Sequence, residues 1–350
     1  MALRLGAVVV LALIAAAAAA IIPGSHGSGS ARFEVASVAG RSPVTNRLPI
    51  HLTKVFGSDL PANRYGSIIG AQENQGVDAQ GQLSSDLSPV SPSAFNRPIA
   101  AYRAYAERWS LRLAGAVATL RAGLAANDRG AAQRDWSTAF GDYLHLGAVY
   151  GLLPPALDRR LAGLPQNLGD PHFPGLHRIE LGLWTGAAPR SLQPVAAALA
   201  HAVTQLRRTL PTVPIDTLDY TLRAHEILED AQRDYMSGDD VPWSGAGVFG
   251  TEEGVVATRE VISTLVPLLQ GRDNTLAEAQ NWLGQLQGTL ISVRRPGGGW
   301  PAVDQLSTTQ RERIDGSLAG TLGALSEIPG TLETTDVPVI PSIAAQEAKR

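Results

Sequence analysis

Asp170-Pro-His-Phe-Pro-Gly-Leu-His177-Arg-Ile-Glu180-Leu-Gly-Leu-Trp184 sets an imidazole and a carboxylate three residues apart in a helix-forming run. Pro174 and Gly175 open the run, and apolar and polar residues alternate from Leu176 to Trp184 as a helix requires. Positions three apart share a helix face, so His177, Glu180 and Trp184 line one side. A neutral ring nitrogen and a carboxylate oxygen are both ligands for a borderline or hard metal ion, and bundle interiors collect such ligands from several helices. The same two residues also suit a surface pair on an ordinary amphipathic helix, because two-residue motifs decide little alone.

Helical patterning extends in both directions. Upstream, Pro98 sits at a first helical position, and Ile99, Tyr102, Tyr105, Trp109, Leu113, Val117, Leu120 and Leu124 recur at three- and four-residue steps. Asn127-Asp128-Arg129-Gly130 is a turn, and a second helix is expected from Ala131 to Tyr150 with Trp136, Phe140, Tyr143 and Leu146 on one side. A short loop makes the two antiparallel neighbours. A short helix is expected from Leu157 to Leu164. Downstream, a helix begins at Ser191, and Asp216 caps another that continues to Met236. Further helices span Glu252 to Leu269, Thr275 to Val293 and Leu306 to about Leu325, the last with Ser307 and Gln310 at capping-box spacing. The loop Ser237 to Gly245 carries the adjacent carboxylates Asp239 and Asp240, and Gly297-Gly-Gly299 reads as a flexible turn rather than an anion cradle.

Composition agrees with an all-α chain. Only 17% of the 350 residues are charged and 5% are aromatic, which favours helices packed through small side chains. A net charge of −3 without a basic block excludes nucleic acid as a partner, since that affinity comes from Lys and Arg against phosphate. The absence of cysteine excludes disulfides, thiolate catalysis and zinc-thiolate sites, so any metal must be held by His, Asp, Glu or water. Gly6 to Ile22 is a nearly unbroken apolar run, as in a signal peptide or an uncleaved anchor, and places the remainder outside the cytoplasm, as a periplasmic, secreted or cell-surface protein. The expected organisation is a signal peptide or anchor over 1–25, an irregular arm with one or two short strands over 26–96, a helical domain over 97–330 and a tail over 331–350.

On the next long helix His225 and Glu229 interrupt an apolar stripe. Buried polar groups need partners, so these two either bond one another at i, i+4 or point at something between the helices. His225-Glu226 lacks the second histidine of a zinc-protease motif, which disfavours peptidase chemistry. If the two helices faced one another, His177, Glu180, His225, Glu226, Glu229 and Asp240 would form a site of oxygens and imidazoles suited to iron, zinc, copper or manganese, with nothing in the residues to choose among them.

Phe173-Pro-Gly-Leu-His177-Arg-Ile-Glu180-Leu-Gly-Leu-Trp184 resembles the Gly-x-His-x-x-Glu segment of imelysin-like proteins, in particular the EfeO/EfeM type of bacterial iron uptake. Pro98 to Tyr105 looks like the opening helix of that domain. Arg223 to Asp230, Ser237 to Asp240, and Trp300 to Ser307 look like later segments in the same order. The resemblance implies an imelysin-like helical domain of two bundle-like halves that binds a metal ion and works with a membrane permease and a haem-dependent peroxidase; the family has also been labelled as peptidases, but no residues here would position a water against a peptide carbonyl. A cupredoxin domain is not evident ahead of it. Departures from the family pattern are specific. Leu144 and Gly147 occupy the places of a Glu-x-x-Glu pair, with His145 between them. Asp158 is the carboxylate nearest the acidic positions expected after that helix, and Val256 replaces another, with Glu252 and Glu253 one turn away. His145, Asp158, Asp239, Glu252 and Glu253 are therefore second-tier ligands. The alternative function is a surface binding or interaction module on the same scaffold that has lost its metal; a metallopeptidase is a more distant third.

Overall fold

The computed structural model describes residues 87–163 and 173–334, all within one packing unit. The expected signal peptide, the tail beyond Thr334 and nearly all of the arm lie outside the described residues, as do Asp170 to His172 of the central motif.

Helices account for every long element. They are α1 (Asn96–Ala125), α2 (Arg129–Leu144), α3 (Pro155–Leu161), α4 (Gly175–Trp184) and α5 (Gln193–Thr209). They continue with α6 (Thr217–Asp230), α7 (Gly247–Leu269), α8 (Thr275–Ser292), α9 (Thr308–Ser326) and α10 (Ile328–Thr331). Among the described residues the extended pairing is a single bridge, Val90 with Thr334, closed by Val90 N–H donating to the Glu333 carbonyl at 2.6 Å. No helix of the described residues is long and apolar enough to cross a membrane.

The sequence explains the boundaries. Asp128 caps α2 by accepting from Ala131 N–H, and Asp216 caps α6 by accepting from Leu218 N–H. Ser307 and Gln310 form the expected reciprocal capping box on α9. The apolar series of α1 is buried where the spacing placed it: Tyr102, Leu113, Leu120 and Leu124 are fully enclosed.

The packing resolves into two halves. α1 lies along α2 and α5, and α3 and α4 close the near end; α8 pairs with α9, and α6 and α7 pack beside them. α7 joins the halves through contacts with α1 and α2.

Three boundaries differ from expectation. α2 ends at Leu144 rather than near Tyr150, and the chain tightens into a 3₁₀ turn over Gly147–Val149. Gly147 abuts Ile227 of α6, where an added Cβ would meet the Ile227 side chain at 2.8 Å, and the buried Tyr102 hydroxyl accepts from Ala148 N–H. α6 stops at Asp230, and a wider π turn, Ala231–Tyr235, replaces its continuation to Met236. α7 starts at Gly247, five residues before Glu252, because its glycines serve close approach rather than a turn. A Cβ on Gly247 would lie 2.1 Å from the Tyr235 carbonyl oxygen.

Candidate functional site

Clasps from other elements fix α4. The Trp136 indole of α2 donates to the Leu176 carbonyl at 2.8 Å. Arg129, at the start of α2, donates to the carbonyls of Leu183 and Ala187 and so satisfies the open end of α4. At the other end, Gly175 adopts φ +82°, and His177 N–H donates to the Ala162 carbonyl at 3.0 Å. A Cβ on Gly175 would lie 2.5 Å from that same carbonyl oxygen, so the backbone geometry that sets His177 in place requires glycine.

His177 and Glu180 face inward, with the imidazole 1% exposed and the carboxylate wholly buried. His177 Nδ1 bonds Glu180 Oε2 at 3.0 Å, and Nε2 lies 3.6 Å from Asp240 Oδ2. The other oxygen of Glu180 accepts from Ser244 N–H at 2.8 Å, the Ser244 hydroxyl at 2.7 Å and Trp243 N–H at 3.3 Å. Burial works against the charged ring, but the Glu180 hydrogen bond and the Asp240 and Glu180 charges outweigh it and raise the His177 pKa above 6.5. Burial in turn raises Asp240, with His177 opposing and Asp234 and Glu180 reinforcing it.

Asp240 is thus brought to His177 and Glu180, but the three side chains form a row. The two carboxylates take opposite nitrogens of one ring, which prevents them from surrounding a point. Among the described residues no group of three or more His, Asp or Glu side chains is arranged to hold a metal ion.

The remaining sequence candidates lie elsewhere. α6 packs on α7 and α9 rather than facing α4. On it Glu226 pairs with Arg223 at 2.5 Å, and His225 Nδ1 lies 3.6 Å from Glu229 Oε2, the i, i+4 alternative. Asp239 is exposed in its loop. Asp158 accepts from the Tyr143 hydroxyl at 3.3 Å, and burial raises its pKa. Glu252 accepts from Gln287 at 3.2 Å.

His145 and Glu253 build a second constellation. His145 Nε2 bonds Glu253 Oε2 at 2.9 Å, and Nδ1 bonds the Tyr105 hydroxyl. Trp109 stacks on the imidazole, with ring centroids 3.4 Å apart and planes 11° apart. On Trp109 the Arg112 guanidinium rests 4.2 Å from the ring centroid, and its Nε donates to Asp142 at 3.3 Å. Burial raises the Asp142 pKa, while Arg112 pulls it down. Glu253, Asp142, Trp109 and Arg112 border a cleft of about 650 Å³ that is also lined by Arg294, Arg295 and Gly298 to Ala302. Trp184 of the central motif and Ser244 also line it, so the cleft passes beside the buried row.

Sequence reasoning missed Asp142, Ser244 and the role of the 294–305 turn. Asp142 had a signal, a carboxylate between Phe140 and Tyr143 on an apolar face. Ser244 had none, since its part depends on a loop folding back onto α4.

These residues describe an all-α, two-part bundle with a buried imidazole-carboxylate row beside an aromatic cleft. No family model matches the chain. The chain is similar to the iron uptake system component EfeO of Yersinia pseudotuberculosis, at 20% identity over 80% of this chain and 76% of that protein. It is equally similar to the protein of that name from Yersinia pestis, at 20% over 80% and 76%. The Escherichia coli protein of that name matches at 20% over 53% of this chain and 50% of its own length.

Proposed function

We propose that this protein is an extracytoplasmic component of an iron uptake system of the EfeO type, built on an imelysin-like scaffold and acting by binding rather than catalysis. The similarity to EfeO proteins over 80% of the chain carries this reading. The helical fold that presents His177 and Glu180 inward from α4 accords with it. Iron is the cargo in this proposal, with zinc or copper as alternative ions. A membrane permease and a haem-dependent peroxidase are the partners it would serve.

In this reading His177, Glu180 and Asp240 are the first ligands to consider. Each would have to exchange an existing bond for the metal, since both imidazole nitrogens face carboxylates and Glu180 already accepts from four donors. That saturation favours a second reading, a surface binding module on the same scaffold in which the row has become structural.

Equilibrium dialysis of the full chain against ferrous iron, ferric nitrilotriacetate, zinc and copper separates the two. Stoichiometric iron retention that is lost in His177→Ala with Glu180→Ala is the expected result. Retention unchanged by the double substitution removes these residues as ligands, and retention of none of the ions supports the second reading.

A further inference from the structure

The cleft beside the row is shaped for something larger than an ion. Its volume of about 650 Å³ lies in the range of sites for small organic molecules, roughly 300–1,000 Å³. Four aromatic side chains line it, Trp109, Trp184, Phe249 and Trp300. Two of these rings carry a cation, Arg112 over Trp109 at 4.2 Å and Arg294 over Trp300 at 5.1 Å.

Charge in the cleft is unevenly committed. The two carboxylates are engaged, Asp142 with Arg112 and Glu253 with His145. The guanidiniums use their inner nitrogens within the protein, Arg112 Nε on Asp142 and Arg294 Nε on the Gly298 carbonyl. Among the described residues no bond is formed to the Nη atoms of either arginine, and the Arg112 side chain is 62% exposed. That edge is the one that forks onto a carboxylate. The N-terminal turn of α7, a helix of 23 residues without a side-chain cap, borders the same space at Ala246 and Phe249 and adds its positive end.

We infer that this cleft is a binding site for an aromatic anion, a phenolate- or carboxylate-bearing ring that packs beside Trp184, Phe249 and Trp300 with its charge on Arg112 and Arg294. Resting on the iron-uptake reading, the same site would take iron as an anionic aromatic chelate rather than as a bare cation, which these arginines would repel.

Isothermal titration of the full chain with 2,3-dihydroxybenzoate, with and without ferric iron, tests this. Binding is expected, and it should weaken at least about tenfold in Arg112→Gln with Arg294→Gln; because Arg112 also pairs the buried Asp142, Arg294→Gln alone, an exposed side chain, serves as the variant that should weaken binding while keeping the wild-type melting temperature. Affinity should also fall as salt rises from about 0.05 M to about 0.5 M. Equal affinity in wild type and the double variant overturns the assignment. Uptake of ferrous iron with no response to either form of the aromatic acid also overturns it, and leaves the iron reading intact. Equal affinity for the iron-free and ferric forms supports the cleft assignment while removing the aromatic acid as an iron carrier.

Discussion

Two imidazoles in this molecule each meet a carboxylate, and their surroundings make them different devices. His177 lies in the interior between Glu180 and Asp240, and the nearby loop supplies Ser244 and Trp243 to the remaining oxygen. His145 is as deeply buried, but its partner Glu253 reaches the cleft, where the carboxylate side chain is 21% exposed. The first arrangement is complete, and the second opens onto a cavity. A buried group with every bond made contributes to folding, whereas one at the edge of a cavity can exchange partners with a ligand.

The largest way to break that contrast is Glu180→Ala. It leaves the His177 ring and the Ser244 and Trp243 donors without their buried acceptor, and urea unfolding should show a loss of about 3–5 kcal/mol. An equally small loss for this variant and for Glu253→Gln would erase the distinction.

Next is His177→Gln, expected to cost about 2–3 kcal/mol at pH 6. Because the folded pKa of His177 is raised, its contribution is complete below 6.5 and is lost as pH rises through the folded value. The gap between wild type and variant should therefore narrow when unfolding is repeated at pH 9, and a widening gap would contradict a raised pKa for His177.

Ser244→Ala removes a hydroxyl donor but keeps the backbone donors, and thermal unfolding should report about 1–2 kcal/mol. Glu253→Gln is the smallest, within about 1 kcal/mol by the same measurement, since its site borders open solvent. A larger effect there would make the His145 pair as structural as the buried row.

The helices were legible because their apolar spacing and caps are local. Tyr102 to Leu124, Asp216 and Ser307 each announce their roles within a few residues. α7 was read five residues late because Gly247 and Gly250 look like loop residues until Tyr235 is known to press against them. The partners of His177 were half legible. Glu180 shares its helix, and Asp240 was named from the loop, but its meeting with the far nitrogen depends on how the segment after α6 folds back. Whether α6 faces α4 was left open by the spacing, and α6 packs on α7 and α9, a matter of topology that spacing on one helix does not encode. The cleft was the least visible feature: Trp109 reads as core on its helix, and the 294–300 turn reads as flexible until the two are placed across the same space.

The bridge between Val90 and Thr334 has a mechanical consequence. The chain enters and leaves the helical body at one point, reinforced by Arg272 donating to the carbonyls of Ser88 and Thr331. Tension applied through the two flanking segments would load these few bonds one after another before it reached any helix. A body fastened in this way yields first at its clasp, and its packed interior feels the pull only after that clasp has parted.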